Sequence, residues 1–476
     1  MRWSFYIYSI ALLLIFALSL VTDWYDQLIY CINVIAVLMV IDKLGKGIVL
    51  REIIALHSCF ICLLMPLIGY LVYNENYPLA AITRRYMPVP KELYFSFALP
   101  AVTAFSLFLC WPISNSSGAD NGQPLEEKIR KARSLLENHK RLGLYLLIMG
   151  VFVTTFVDSV PVSIRYIFSL LYFAAFAGCL YIYFTKDFPY KKIILSLFGL
   201  FIVAASLRNG MFTIIAYMGM TLFSFFFLGN KSSIIKKLTI FILGMLLLTL
   251  IQSVKPAYRR MLKMNYHGDK VEMFAGLLEE RVTNVDKFIS VDALFPLHYR
   301  ANQGFNMALV MKRFPILKPY DNGSNLLVVA FASLVPRLLW PDKPEAGGIA
   351  NMKYYAGVTI KGWSTNVGPL GEAYASFGSV GGIVFMSLLG FFIRLFYKRI
   401  FVIANKIPLI IFWIPVMFYQ VTYSAENDTF QILNSLIKSS FFVFLLYKFI
   451  PSLFIASKKQ NRFTKKTIVR DTSLQT

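Results

Sequence analysis

The sequence predicts an all-α polytopic membrane protein with about twelve transmembrane helices and one large outer loop. Composition is the first observation behind this. Of 476 residues, 57% are hydrophobic and 15% charged, whereas a soluble globular chain is about 45–50% apolar and about 25% charged. The second is arrangement: the apolar residues form uninterrupted runs near the roughly 20 residues that cross a hydrocarbon core. A membrane β-barrel would show short alternating segments instead. The third is the placement of basic residues, which alternates from one connection to the next.

The apolar runs place helices at 4–22, 27–42, 53–73, 92–112, 142–158, 162–184, 192–208, 211–229, 236–254, 378–396, 407–424 and 431–450. With the N-terminus inside, the inner connections and tail carry 25 Lys and Arg, and the short outer connections carry five: Arg84, Arg85, Lys91, Arg165 and Arg208. The positive-inside rule therefore puts both termini in the cytoplasm. It also accounts for the net charge of +23 without a nucleic-acid partner. Arg2 and the run to Val21 lack a small-x-small cleavage site and a second run follows at once, which predicts a retained first helix rather than a signal peptide. All five cysteines, Cys31, Cys59, Cys62, Cys110 and Cys179, fall in predicted membrane helices, so no disulfide framework is expected. Cys59 and Cys62 make a CxxC spacing only in letter, because an apolar helix has no cation to stabilise a thiolate.

Residues 1–253 form the nine-helix part. Within it, the cytoplasmic loop 113–141 begins turn-rich and continues from Glu126 to Arg141 as an amphipathic stretch, with Ile129, Ala132, Leu135 and Leu136 on one side. This predicts a helix lying near the headgroups. Residues 254–377 form the outer loop. Val271, Phe274, Leu278, Val282, Val285 and Ile289 recur at helical spacing, and a second helix is expected over 301–314, ending at Pro315. The apolar stretch 325–340 contains Pro336, and crossing there would invert the charge parity of the last helices, so a re-entrant or interfacial element is expected. Residues 378–450 hold three helices, and 451–476 is a basic cytoplasmic tail suited to anionic lipid.

No P-loop, dinucleotide fingerprint, HExxH, GxSxG or His/Cys cluster is present. Neither a cofactor nor a metal is expected, and Asp23 and Asp26 read as solvated turn residues. The candidate chemistry is a set of outer cations. Arg208 stands in the tight Ser-Leu-Arg-Asn-Gly turn. Arg300 follows His298 and Tyr299. Arg337 and Lys343 flank Leu338, Leu339 and Trp340 within a segment locked by Pro336, Pro341 and Pro344. A guanidinium fork matches phosphate oxygens, and at a membrane surface those belong to a lipid headgroup or a lipid-linked pyrophosphate. Glu372, read as lying just before an apolar helix, suits a helix N-terminus, a partner for one of the arginines, or a general base. His267 and His298 are the loop histidines where a base could act, with His298 the stronger candidate, and His57 and His139 read as structural or solvated. Lys438, below the outer end of the last helix, marks a cavity, and Glu426 and Asp428 can pair with it or with the loop.

Three segments, Ser206-Leu-Arg-Asn-Gly210, Val335-Pro-Arg-Leu-Leu-Trp-Pro-Asp-Lys-Pro344 and Gly371-Glu-Ala-Tyr-Ala-Ser-Phe-Gly378, resemble those of the Wzy-type polymerases of O-antigen and related bacterial polysaccharides. The helix count and the single large outer loop fit the same family. The resemblance implies a GT-C-like, metal-independent glycosyltransferase of the bacterial plasma (inner) membrane. Its implied substrates are undecaprenyl-pyrophosphate-linked repeat units, with surface polysaccharide (O-antigen, capsule or exopolysaccharide) as product. Membrane lipids, a chain-length regulator protein and a repeat-unit flippase are the implied partners. On this reading Arg337, Arg208 and Lys343, with Arg300, bind pyrophosphate. Trp340 fixes the arginine segment, Lys438 lines the substrate cavity, and Glu372 or His298 takes the proton of the attacking hydroxyl. An O-antigen ligase using the same donor is the nearest alternative, and a lipid-linked oligosaccharide flippase is the alternative from another class. Transporters tend to show repeated halves around midplane charges. No internal repeat is found here.

Overall fold

The computed structural model describes residues 3–113, 123–209, 213–229, 233–264, 268–284, 290–335, 339–344, 347–361 and 364–454. Each of the twelve apolar stretches carries a helix, and the described residues contain no β-strand, only a bridge between Leu44 and Gly47. The helices are α1 (Trp3–Val21), α2 (Tyr25–Lys43), α3 (Leu50–Leu71), α4 (Lys91–Cys110), α5 (Gln123–Asn138), α6 (Leu142–Val153), α7 (Val162–Phe184), α8 (Lys191–Asn209), α9 (Thr213–Phe226), α10 (Ile234–Lys263), α11 (Lys270–Thr283), α12 (Val291–Ala301), α13 (Gln303–Arg313), α14 (Ser324–Leu334), α15 (Gly368–Ile403), α16 (Ile414–Thr422) and α17 (Thr429–Phe449). Among the described residues, eight helical stretches are long and apolar enough to cross a membrane, in α2, α3, α4, α7, α10, α15, α17 and Pro408–Glu426. The protein is an all-helical membrane protein. Ile235, Leu238, Ile242, Leu243, Leu246 and Leu247 of α10 are exposed, the surface expected where lipid replaces water as solvent.

Small residues set the closest helix approaches. A Cβ on Gly143 of α6 would lie 2.9 Å from the Gly178 carbonyl oxygen of α7, and one on Gly150 would lie 2.6 Å from the Ala175 Cβ. Helices without a hydrophobic drive to associate rely on such backbone contact. The predicted amphipathic helix exists as α5, but its apolar face is not turned to headgroups. Leu125, Ile129, Ala132 and Leu136 are buried in the main core, and Arg133 lies 5.1 Å over the Phe184 ring. The cysteines are free thiols.

One end of the bundle is tied by ions. Lys43 donates to Glu52 at 2.9 Å, with both side chains buried. Arg51 donates to the carbonyls of Leu109 and Trp111 at 3.0 and 3.1 Å. Arg394 donates to those of Trp111 and Pro112 at 2.9 and 2.7 Å. The last carbonyls of a helix have no intrahelical partner; here guanidinium groups from α3 and α15 bind the chain where α4 ends.

The loop departs from expectation at several places. α10 continues to Lys263 rather than ending near Val254. The helix expected over 301–314 is α13, and an unexpected helix, α12, precedes it; Asn302 divides the two and starts α13 by accepting the Phe305 N–H on Oδ1 at 3.1 Å. α14 stops at Leu334 after 11 residues, about 16 Å and too short to cross a bilayer. The chain also doubles back at 368–377. This segment is helical and meets the rest of α15 at Gly378, whose φ of 65° and ψ of −160° break the helix. A Cβ on Gly382 would lie 3.3 Å from the Ala373 carbonyl carbon, a contact impossible along a straight helix and diagnostic of a chain that doubles back. Glu372 therefore sits inside a buried helical segment, not ahead of a helix.

Candidate functional site

The loop and the bundle meet at Glu426, in the turn between α16 and α17. Its Oε2 receives Arg300 Nη2, from the last turn of α12, at 3.0 Å. Its Oε1 accepts the Tyr217 hydroxyl of α9 at 2.9 Å and lies 3.4 Å from His57 Nε2 of α3. Tyr217 stacks on Tyr423 with centroids 4.5 Å apart and meets His57 edge-on at 5.4 Å. The turn itself is pinned. The Glu426 carbonyl accepts from Asn366 Nδ2 at 3.2 Å, and the Asn366 carbonyl accepts from Gln303 and Asn306 at 2.7 and 3.0 Å. Glu426 beside it raises the Arg300 pKa further, which makes Arg300 a permanent cation.

Positive charge collects around this carboxylate. Lys255, buried, and Arg259, exposed, sit one turn apart on α10 and both act electrostatically on Arg300. On another face of α10, Ser253, Ala257 and Arg260 line a cavity of about 230 Å³ with Arg281 of α11 and Ala293, Pro296 and Leu297 of α12. Its wall is apolar with two guanidinium groups, a mixture that fits an anion carried on an apolar chain. No group of three or more His, Cys, Asp or Glu side chains is placed to hold a metal among the described residues.

The residues singled out in the sequence divide. Arg300 is at the site. Arg337 lies outside the described residues, as does the side chain of Arg208, whose backbone ends α8. Lys343 is buried rather than presented to a ligand. It donates to the carbonyls of Ala332 and Val335 at 2.8 and 2.9 Å, because the C-terminal end of α14 needs donors and favours a cation. Trp340 packs against Val329, Ala332 and Phe430. Among the described residues Glu372 meets no arginine: it accepts the N–H of Thr429, the first residue of α17, at 2.9 Å and Asn351 Nδ2 at 2.7 Å. The carboxyl thus positions helices. His298 is buried against Tyr73, with ring centroids 4.5 Å apart, and burial pushes its pKa down to about 4. It is a neutral packing group, not a solvent-facing base. Lys438 lies 4.9 Å over the Tyr166 ring, which compensates its charge within the bundle. Asp26 pairs with Lys91 at 2.7 Å.

Sequence reasoning read His57 as structural or solvated and passed over Tyr217, Lys255 and Arg259. A signal existed for the last two: Lys255-Pro-Ala-Tyr-Arg-Arg260 is a basic cluster closing an apolar run at the end that the charge count reads as outer, where the positive-inside rule expects depletion. Neither a curated protein nor a solved structure matches the chain. Residues 124–456 match a family described as a domain of unknown function, DUF8712, and the chain belongs to that family.

Proposed function

We propose that the protein is a membrane-embedded, metal-independent glycosyltransferase that polymerises undecaprenyl-pyrophosphate-linked repeat units into surface polysaccharide, as a Wzy-type polymerase does. On this reading the chain crosses the bacterial plasma membrane twelve times in a GT-C-like architecture. Both termini are cytoplasmic and the 254–377 loop faces outward. The observation that carries the reading is Arg300 on the Glu426 carboxylate, with Lys255 and Arg259 close enough to act on Arg300. The three sequence segments named above support it independently.

The chemistry needs a stabilised leaving group and a proton acceptor. The acceptor sugar's hydroxyl oxygen attacks the anomeric carbon of the donor glycan, and the bond from that carbon to the pyrophosphate oxygen breaks. The electron pair leaves with the lipid pyrophosphate. Arg300, Lys255 and Arg259 stabilise the charge that develops there, the resemblance assigns Arg337 the same role, and no step requires a metal. Glu426 takes the hydroxyl proton, oriented by Tyr217 and backed by His57. Glu426 takes the base role in place of Glu372 and His298, because Glu372 holds helix donors and His298 is packed away.

The test is reconstitution. Purified protein in nanodiscs, given undecaprenyl-pyrophosphate-linked repeats of its host, should yield a ladder of polymers with release of undecaprenyl pyrophosphate, unaffected by chelator. Absence of a ladder would sink the proposal. In cells, a deletion strain should attach single repeat units to its acceptor. A bare core would identify a ligase, and lipid-linked repeats stranded on the cytoplasmic face a flippase.

A further inference from the structure

The Arg300–Glu426 contact joins groups of unlike exposure. The arginine side chain is 56% exposed and the glutamate 19%. The link is one hydrogen bond, from Nη2 to Oε2. The carboxylate does not depend on it for its place. Oε1 is held by Tyr217, with His57 beside it, and the peptide carbonyl by Asn366. If Arg300 moved away, Glu426 would stay where it is. Arg300 has reason to move, since Lys255 and Arg259 are close enough to repel it. A multivalent anion arriving beside them neutralises more charge than Glu426 can, and a long, exposed arginine can follow it.

We propose that Arg300 is a latch operated by a phosphate-bearing anion. In the empty state it covers Oε2 of Glu426. When the anion seats against Lys255 and Arg259, Arg300 transfers to it and leaves Oε2 open to accept the proton of the incoming hydroxyl. The latch rests on the glycosyltransferase reading and adds an order to it: the base is uncovered only after the donor's pyrophosphate is in place. Premature attack by water is thereby suppressed.

Competition gives the latch a thermodynamic signature, since an anion that must displace Glu426 binds more weakly for it. The probe is inorganic pyrophosphate, titrated calorimetrically into the full chain in phosphatidylcholine nanodiscs. Glu426→Gln should bind it about tenfold more tightly than wild type, and Arg300→Ala about tenfold more weakly. The double variant should match Arg300→Ala. Glu426→Asp, which keeps the charge but shortens the reach, should also tighten binding and covers the case in which the amide variant misfolds. Unchanged or weaker binding in both Glu426 variants overturns the latch. Wild-type binding together with polymer synthesis would then leave the glycosyltransferase reading standing. Pyrophosphate binding abolished by phosphatidylglycerol in the nanodisc would hand the site to a lipid headgroup and overturn the pyrophosphate assignment.

Discussion

Glu372 offers a direct way to separate chemistry from architecture. Its carboxyl accepts the Thr429 N–H and Asn351 Nδ2, and Asn351 in turn accepts the Val367 N–H at 2.9 Å. Three stretches, 347–351, 367–377 and the start of α17, therefore hang on one side chain. In Glu372→Ala both donors lose their acceptor in a buried setting. Each donor left without a partner costs about 1–3 kcal/mol, so the expected loss is about 2–6 kcal/mol. Glu372→Gln keeps one acceptor oxygen and should lose about half as much. Thermal unfolding of the detergent-solubilised protein should rank wild type above Gln and Gln above Ala, and polymer yield in cells should follow that rank. An alanine variant that melts with wild type yet makes no polymer would refute the argument and return Glu372 to the chemistry.

Other consequences can be measured alongside it. Burial lowers the His298 pKa from 6.5 to about 4. The unfolded chain therefore takes up a proton that the fold refuses. This contribution to stability is complete above pH 6.5 and is lost as the pH falls towards 4, by up to about 3 kcal/mol. His298→Phe should flatten that part of an unfolding-versus-pH profile; a profile as steep as wild type would exclude the assignment. Lys343→Met should free the carbonyls of Ala332 and Val335 at a cost of about 1.5–3 kcal/mol, seen as faster proteolytic nicking near 335–344, and equal nicking rates would contradict it. Arg337→Ala should abolish polymer ladders while leaving single repeat units on the acceptor, and full-length polymer in that variant would remove Arg337 from the site.

The helices were legible because their signal is local. An apolar run of membrane length is readable residue by residue, and each such run became a helix. Ends were less legible. α10 passes Pro256 and carries its helix on into charged residues, and the two helices of 291–313 are divided by one asparagine cap. The site was least legible, since its contacts are remote in the chain. Tyr217 meets Glu426 across 209 residues and Arg300 meets it across 126. Nothing near His57 in the sequence announces a carboxylate. Lys343 and Glu372 misled for the converse reason. Their charge and neighbours suit a ligand, and only the fold shows helix ends already claiming them.

The ionic tie where α4 ends bears on movement. Arg51 and Arg394 hold Trp111 from two helices, so α4 and α15 share a fulcrum there. Gly378 lies 16 residues along α15 from Arg394, a lever arm of about 24 Å at the helical rise per residue. A tilt of about 5° about the fulcrum would carry Gly378 by roughly 2 Å at that radius. The segment doubling back from Gly378 bears Glu372, whose carboxyl grips the first residue of α17, two positions after Asn427 and three after Glu426. Small rotations of the α4–α15 pair are therefore geared directly to the turn that carries the Glu426 carboxylate.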